Sequence, residues 1–207
     1  MQKAKGFKAM RIFFTGVGGQ GTLLATRLVG EAALEAGIQV TMSEIHGMAQ
    51  RGGVVESSVV MGDALSPTIA DREADVLMAF EPLEAVRALP KCFPGSTVIS
   101  STTPIIPFTV AIGQSTYPTQ ETLDRLIKDK VSKLLWVDAD KLAREAGSDR
   151  AANTVLVGAL AGSGKLPITQ ENWNEALRRI FPPRLLEINQ RAFELGRGLG
   201  SGAFAAA

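Results

Sequence analysis

Apolar residues along this chain fall into short runs separated by stretches of helical spacing, the pattern of an α/β domain. Met10-Arg11-Ile12-Phe13-Phe14-Thr15 is such a run, and it predicts a buried strand, because strands covered on both faces read as nearly continuous apolar stretches. It leads into Gly16-Val17-Gly18-Gly19-Gln20-Gly21 and then a helix over 20–36, whose Leu23, Leu24, Leu28 and Ala32 separate from a charged edge of Arg27, Glu31 and Glu35. Gly37 follows as the helix stop. The segments 38–43, 54–61, 75–80, 96–101 and 133–137 predict further strands, with a short one over 109–112. Helices are predicted over 82–89, 119–132, 150–162, 169–181 and 184–198, with Thr169 as an N-cap and Leu166-Pro167 as a divider. Strand and helix alternate as far as Asp138, and helices follow. The expected fold is a three-layer α/β/α, Rossmann-like doubly wound domain with a mostly parallel or mixed sheet and a helical C-terminal part. Residues 10–198 read as one domain, with 1–9 and the Gly/Ala-rich 199–207 as flexible termini.

The glycines of 16–21 permit a tight turn and the close approach of a ligand or another backbone, and the helix start behind them offers unpaired amides to an anion. Gln20 and Gly21 hold the first of these amides. Set between strand and helix, Gly16, Gly18, Gly19 and Gly21 form the dinucleotide-binding fingerprint in its expected context. Glu44 ends the second strand about twenty residues further on, where an NAD enzyme keeps its ribose-binding acid. Glu81, at the end of the 75–80 strand, is expected on the same rim, and two acids there disfavour a naked pyrophosphate unless Arg51 offsets them. Glu44 runs into Ile45-His46-Gly47-Met48-Ala49-Gln50-Arg51-Gly52-Gly53, which sets a His, a Gln and an Arg among glycines. His46 can donate to a phosphate or carbonyl, or serve the loop's own backbone. Arg51 can grip a phosphate or carboxylate bidentately, or form an interfacial salt bridge. Gln50, Gly52 and Gly53 complete the candidate cofactor-binding set.

GVGGQG at 16–21 with SEIHGMAQRGG at 43–53 resembles the gamma subunit or gamma domain of the 2-oxoacid:ferredoxin oxidoreductases. The HGMAQRGG form of the loop is similar to that of the small (beta) subunit of the indolepyruvate-type members, whereas pyruvate-type members carry a more acidic, proline-containing loop. Asn153-Thr154-Val155-Leu156-Val157-Gly158-Ala159 is similar to an asparagine-headed, small-residue helix late in that family's domain. The likeness is sharp over 11–62 and generic elsewhere. It implies coenzyme A-dependent oxidative decarboxylation of a 2-oxoacid, an arylpyruvate on the evidence of the loop, with electrons passed to ferredoxin through the complex. It implies thiamine diphosphate and iron–sulfur clusters held by large partner subunits, coenzyme A as co-substrate, and no cofactor held by this chain alone. This chain would close the complex and line the coenzyme A route with 16–21 and 46–53; a homodimer is also open. The residues by themselves leave two alternatives: a free-standing NAD(P)-binding oxidoreductase, suggested by the fingerprint and Glu44, and a non-enzymatic adaptor of the same fold.

Composition narrows the picture. At 207 residues the chain suits one domain and is too short for a whole multi-cofactor oxidoreductase. A net charge of +1 gives no field that gathers nucleic acid or anionic membrane. No run approaches the roughly 20 apolar residues of a membrane span, and the basic N-terminus lacks a signal-peptide core, so a cytoplasmic location is expected. The single cysteine, Cys92, excludes an internal disulfide or a self-contained iron–sulfur cluster; it is placed in a loop between Pro90 and Pro94 and given no role. No catalytic constellation or metal-ligand spacing stands out. Gly162-Ser163-Gly164-Lys165 lacks the spacing of a phosphate loop and reads as a helix cap and turn. The small residues Gly158, Ala159, Ala161 and Gly162 allow another helix to come close, as a core contact or an interface.

Overall fold

The computed structural model describes residues 9–46 and 53–205. In chain order the elements are β1 (Met10–Val17), α1 (Thr22–Glu35), β2 (Val40–His46), β3 (Val54–Met61), β4 (Ala74–Ala79), α2 (Pro82–Arg87), β5 (Cys92–Ser101), α3 (Phe108–Ala111), α4 (Gln120–Lys128), β6 (Lys133–Val137), α5 (Ala139–Ala146), α6 (Ala152–Gly162), α7 (Gln170–Ile180) and α8 (Pro183–Phe204). The six strands form one mixed sheet in the order β2-β3-β1-β4-β5-β6. Pairs β1/β4, β4/β5 and β5/β6 are parallel, whereas β3 runs antiparallel to both β1 and β2. This is the expected three-layer architecture, with β3 inserted between the first two predicted strands.

The sheet has two covered faces because its central strands are apolar on both sides. Ile12, Phe14, Val76 and Met78 join the core under α1, α5, α6, α7 and α8. Phe13, Leu77, Ala79 and Val98 join the core under α2 and α4. Helix α1 therefore lies on one face and α2 on the other, so the connections leaving β1 and β4 diverge. That divergence opens a crevice at the carboxyl ends of these two strands, the usual ligand position in a doubly wound sheet.

Helix α1 ends as expected, with Gly37 in the left-handed region at φ 71°. Thr169 caps α7, its hydroxyl accepting from the Asn172 amide while Asn172 reaches back to the Thr169 amide. The Gly162–Lys165 stretch is the end of α6 and a turn with Gly164 at φ 67°, as read from the sequence.

Several expectations need correction. The strand predicted over 109–112 is the helix α3: Pro107 at its N-cap fixes φ at −61° and Gly113 at φ 76° ends it, so β-branched Thr109 and Val110 are held helical. Helix α5 lies in a stretch left without an element; Asp138 caps its start by accepting from the Lys141 amide, and Gly147 at φ 114° follows its end. Helix α4 stops at Lys128 rather than 132, and α8 continues beyond 198 to Phe204 with Gly200 buried. Cys92 begins β5 and is buried, not in a loop, and burial pushes its thiol up to about 11. Among the described residues no helix is long and apolar enough to cross a membrane.

Candidate functional site

The glycine turn is held by its own side chains. Gln20 folds back so that Oε1 accepts from the Val17 amide at 2.8 Å and Nε2 donates to the Phe80 carbonyl at 2.7 Å. This staples the end of β1 to the end of β4, which the Phe80 amide reinforces by donating to the Thr15 carbonyl at 2.9 Å. Gly16 fits beneath: a Cβ there would meet Phe80 Cβ at 2.9 Å and Gln20 Oε1 at 3.0 Å. Gly21, at φ 79°, precedes α1 with no side-chain cap, leaving the first helical amides facing outward. The Gly18 amide donates to the Gly53 carbonyl at 2.9 Å, so the two glycine-rich segments meet at this point.

Asn153, near the start of α6, joins the turn from the other side. Its Nδ2 donates to the Gly21 carbonyl at 3.4 Å, and its Oδ1 accepts from the Thr154 amide at 2.8 Å. Thr154 Oγ1 donates to Asn189 Oδ1 at 2.8 Å, and Asn189 Nδ2 to the Leu185 carbonyl at 2.9 Å. A polar chain thus runs from the glycine turn through α6 into α8, inside an apolar core where each partner must be satisfied.

Between the turn and α6 lies a cleft of about 510 Å³. Gly19, Gln20 and Gly21 form one wall, Asn153 and Arg150 another, with Ser101 and Thr103 from the end of β5 and the carboxylates Asp140 and Asp149 at the margin. It offers helix amides and a guanidinium to an anion, and two carboxylates to hydrogen-bond donors. Among the described residues no cluster of three or more His, Cys, Asp and Glu could hold a metal, and the cleft presents no nucleophile paired with a base.

The residues predicted from the sequence are brought together only in part. Gly16, Gly18, Gly19, Gln20, Gly21 and Gly53 do converge. Glu44 does not: β3 stands between β2 and β1, and Glu44 pairs with Ser57, which pairs with Phe14. It lies two strand spacings, about 10 Å, from the strand that feeds the turn, and is exposed on the sheet's edge strand. The ribose-acid position of an NAD site is therefore vacated by the topology. Glu81 also leaves the rim. It is 1% exposed, caps α2 by accepting from the Glu84 amide at 2.9 Å, and receives the Ile105 amide at 3.2 Å and the Tyr117 hydroxyl. Burial and that bond to Glu81 raise the Tyr117 phenol well above its usual range. His46 closes β2 opposite Val55; Gln50, Arg51 and Gly52 lie outside the described residues. Sequence reasoning missed Asp140 because α5 went unread, and missed Asp149 and Arg150 as cleft residues because the short turn that carries them was taken only as the approach to, and start of, a helix.

Comparison with known proteins gives a consistent picture. Residues 11–199 match the family model for pyruvate ferredoxin/flavodoxin oxidoreductase. The chain is 41% identical over 191 residues to the indolepyruvate oxidoreductase subunit IorB of Thermococcus kodakarensis, covering 91% of this chain and 95% of that protein. The keto/oxoacid ferredoxin oxidoreductase gamma subunit of Geobacter sulfurreducens superposes with TM-score 0.70 at 22% identity, covering 94% of this chain and 99% of that one. A 2-oxoglutarate:ferredoxin oxidoreductase from Magnetococcus marinus, solved with 2-oxoglutarate, coenzyme A and succinyl-CoA, superposes with TM-score 0.74 at 22% identity, over 95% of this chain but only 32% of that one.

Proposed function

The chain belongs to the pyruvate ferredoxin/flavodoxin oxidoreductase family and is a subunit of a 2-oxoacid:ferredoxin oxidoreductase with larger partner subunits; from that premise we propose that it serves an aryl-2-oxoacid enzyme, acting on indolepyruvate or a similar substrate. The match over 11–199 carries this reading, and the likeness to IorB favours the arylpyruvate. In this reading iron–sulfur clusters belong to the larger subunits, because one cysteine cannot ligate a cluster, and thiamine diphosphate is assigned to those subunits with them. Ferredoxin takes its electrons from those clusters, and the complex works in the cytoplasm. The single domain read from the sequence over 10–198 extends through α8 to Phe204 in this reading.

We further propose that the cleft beside the glycine turn forms one wall of the coenzyme A route. Its chemistry suits a molecule that is anionic at one end and rich in donors elsewhere. A phosphate would meet the α1 amides and the Arg150 guanidinium, while amide or amino hydrogens would face Asp140 and Asp149. Coenzyme A, when bound, supplies the thiol that takes the acyl group as a thioester. This chain's share is to position it: Gly19, with open space where a side chain would stand, lets the ligand reach the backbone, and Asn153 packs on Gly21 and holds the turn in register with α6. Gly53, His46, Gln50, Arg51 and Gly52 belong to the same proposed wall.

The assembled enzyme tests this. Arg150→Ala should raise the KM for coenzyme A about tenfold or more, the usual cost of one charge-assisted phosphate contact, while the KM for the 2-oxoacid stays unchanged. Equal effects on both constants, or none on either, would contradict the coenzyme A assignment.

A further inference from the structure

On the face of the sheet away from that cleft, a second cavity of about 360 Å³ opens at the same carboxyl edge, between the ends of β1, β2 and β3 and helix α2. Its lining includes Glu84, Glu56, Arg87 and the apolar Ile45 and Val54. Glu84 is 4% exposed. Its Oε1 accepts from Arg87 Nη1 at 2.5 Å, but its buried Oε2 has no hydrogen-bond partner among the described residues. Arg87 is thus already engaged, and Glu56 leaves the cavity with an excess of negative charge. Buried carboxylate oxygens are ordinarily satisfied, and among the described residues none supplies a donor to this one.

Exposed apolar side chains border the cavity beside the exposed Arg87. Ile45 is 64% exposed and Val54 38%, and further along the same edge Ile106 is 51% and Phe108 76% exposed. An exposed apolar margin around a desolvated charged group is the anatomy of a protein interface. Resting on the reading of this chain as a small subunit with larger partners, we propose that this edge is the surface on which the larger subunit docks, and that the larger subunit inserts an arginine or lysine side chain into the cavity against Glu84 Oε2. Charge complementarity selects that occupant: the described residues lining the cavity carry two carboxylates and one arginine, which is already bonded to Glu84. Burial, with smaller contributions from Glu81 and Glu56, raises the Glu84 carboxyl above its ordinary value despite Arg87.

Glu84→Gln and Ile45→Ser, each co-expressed with the larger subunit, test the proposal. Glutamine keeps the acceptor for Arg87 and removes the charge that burial disfavours. The isolated Glu84→Gln chain should melt at or above the wild-type temperature, while its affinity for the larger subunit, recognised by its iron and thiamine diphosphate, falls about thirtyfold or more. Ile45→Ser should also weaken assembly without changing the isolated chain's melting. Undiminished assembly of Glu84→Gln would overturn the proposal and leave the subunit reading intact, and so would a Glu84→Gln chain that melts lower, since Glu84 would then serve folding. A dimer of the isolated chain dissolved by Glu84→Gln would put a second copy in the cavity and overturn it too. Failure of the wild-type chain to hold any such larger subunit would overturn the subunit reading itself, and this inference with it.

Discussion

Gly19 and Gly21 share a left-handed backbone, at φ 104° and 79°, but not the same surroundings. A Cβ on Gly19 would meet nothing within 4 Å, whereas one on Gly21 would sit 2.3 Å from Asn153 Nδ2. Gly19→Ala should therefore cost only the backbone strain, about 1–2 kcal/mol. Gly21→Ala should cost that plus a further 1–3 kcal/mol, roughly, for displacing Asn153. Thermal unfolding reads the difference, at about 2–4 °C per kcal/mol for a chain of this size; equal shifts for the two variants would show that the Asn153 contact carries no weight. Cys92 offers a second check at this scale. Buried at 7% exposure with its thiol raised to about 11, it should resist an aromatic disulfide reagent at pH 8 in the folded protein and react fully once denatured; rapid labelling of the native chain would contradict the burial of β5's first residue. The turn glycines were legible in the sequence because φ above zero and close approach demand that residue type. The fate of Glu81 was not: nothing in its sequence neighbourhood says that Tyr117 and the Ile105 amide will turn it inward.

Helices α6 and α8 come close enough at their glycines for the backbones to touch. A Cβ on Gly158 would come within 2.1 Å of the Phe193 carbonyl oxygen, one on Gly162 within 2.1 Å of that of Arg197, and one on Gly196 within 2.0 Å of that of Val155. The small residues noted in the sequence are thus a core contact, and Gly196 supplies the reciprocal notch from α8. Gly196→Ala should destabilise by about 1–3 kcal/mol or more, because two helix backbones must part. Gly198→Ala, with nothing within 4 Å of its Cβ, should stabilise by about 0.5–1 kcal/mol through helix propensity. Opposite signs in the two melting shifts check the packing; like signs would contradict it. At this scale the sequence was legible wherever a cap or a long stripe marked an element, as at Thr169 and along α1. It misled at α3, where β-branched residues sit between prolines that forbid a ladder. Helix α5 was missed although Asp138, Gly147 and the alanines at 139, 143 and 146 mark its ends and its buried face. The antiparallel β3 was also encoded. Seven residues, 47–53, separate β2 from β3, too few for a parallel crossover, which needs about a dozen.

For the whole molecule, that one antiparallel strand decides between two readings of the same glycine fingerprint. A dinucleotide site needs its acid on the strand beside β1, and here that neighbour is β3, so Glu44 stands apart from the turn. What the turn does face is Asn153 at the start of α6 and Arg150 just before it; on the sheet's other face lies an edge where Glu84 Oε2 has no partner among the described residues and Ile45 is exposed. As proposed, the molecule completes a cleft on one face of the sheet and offers a docking surface on the other. Co-purification from the native cells through a tag joined after Ala207 tests that account most directly, with the eluate assayed for iron, thiamine diphosphate and dye reduction driven by a 2-oxoacid. The account predicts a larger iron-rich chain at equal stoichiometry and dye reduction that requires both coenzyme A and an arylpyruvate, with no activity from the isolated small chain. A solitary chain that binds NADH tightly would contradict it.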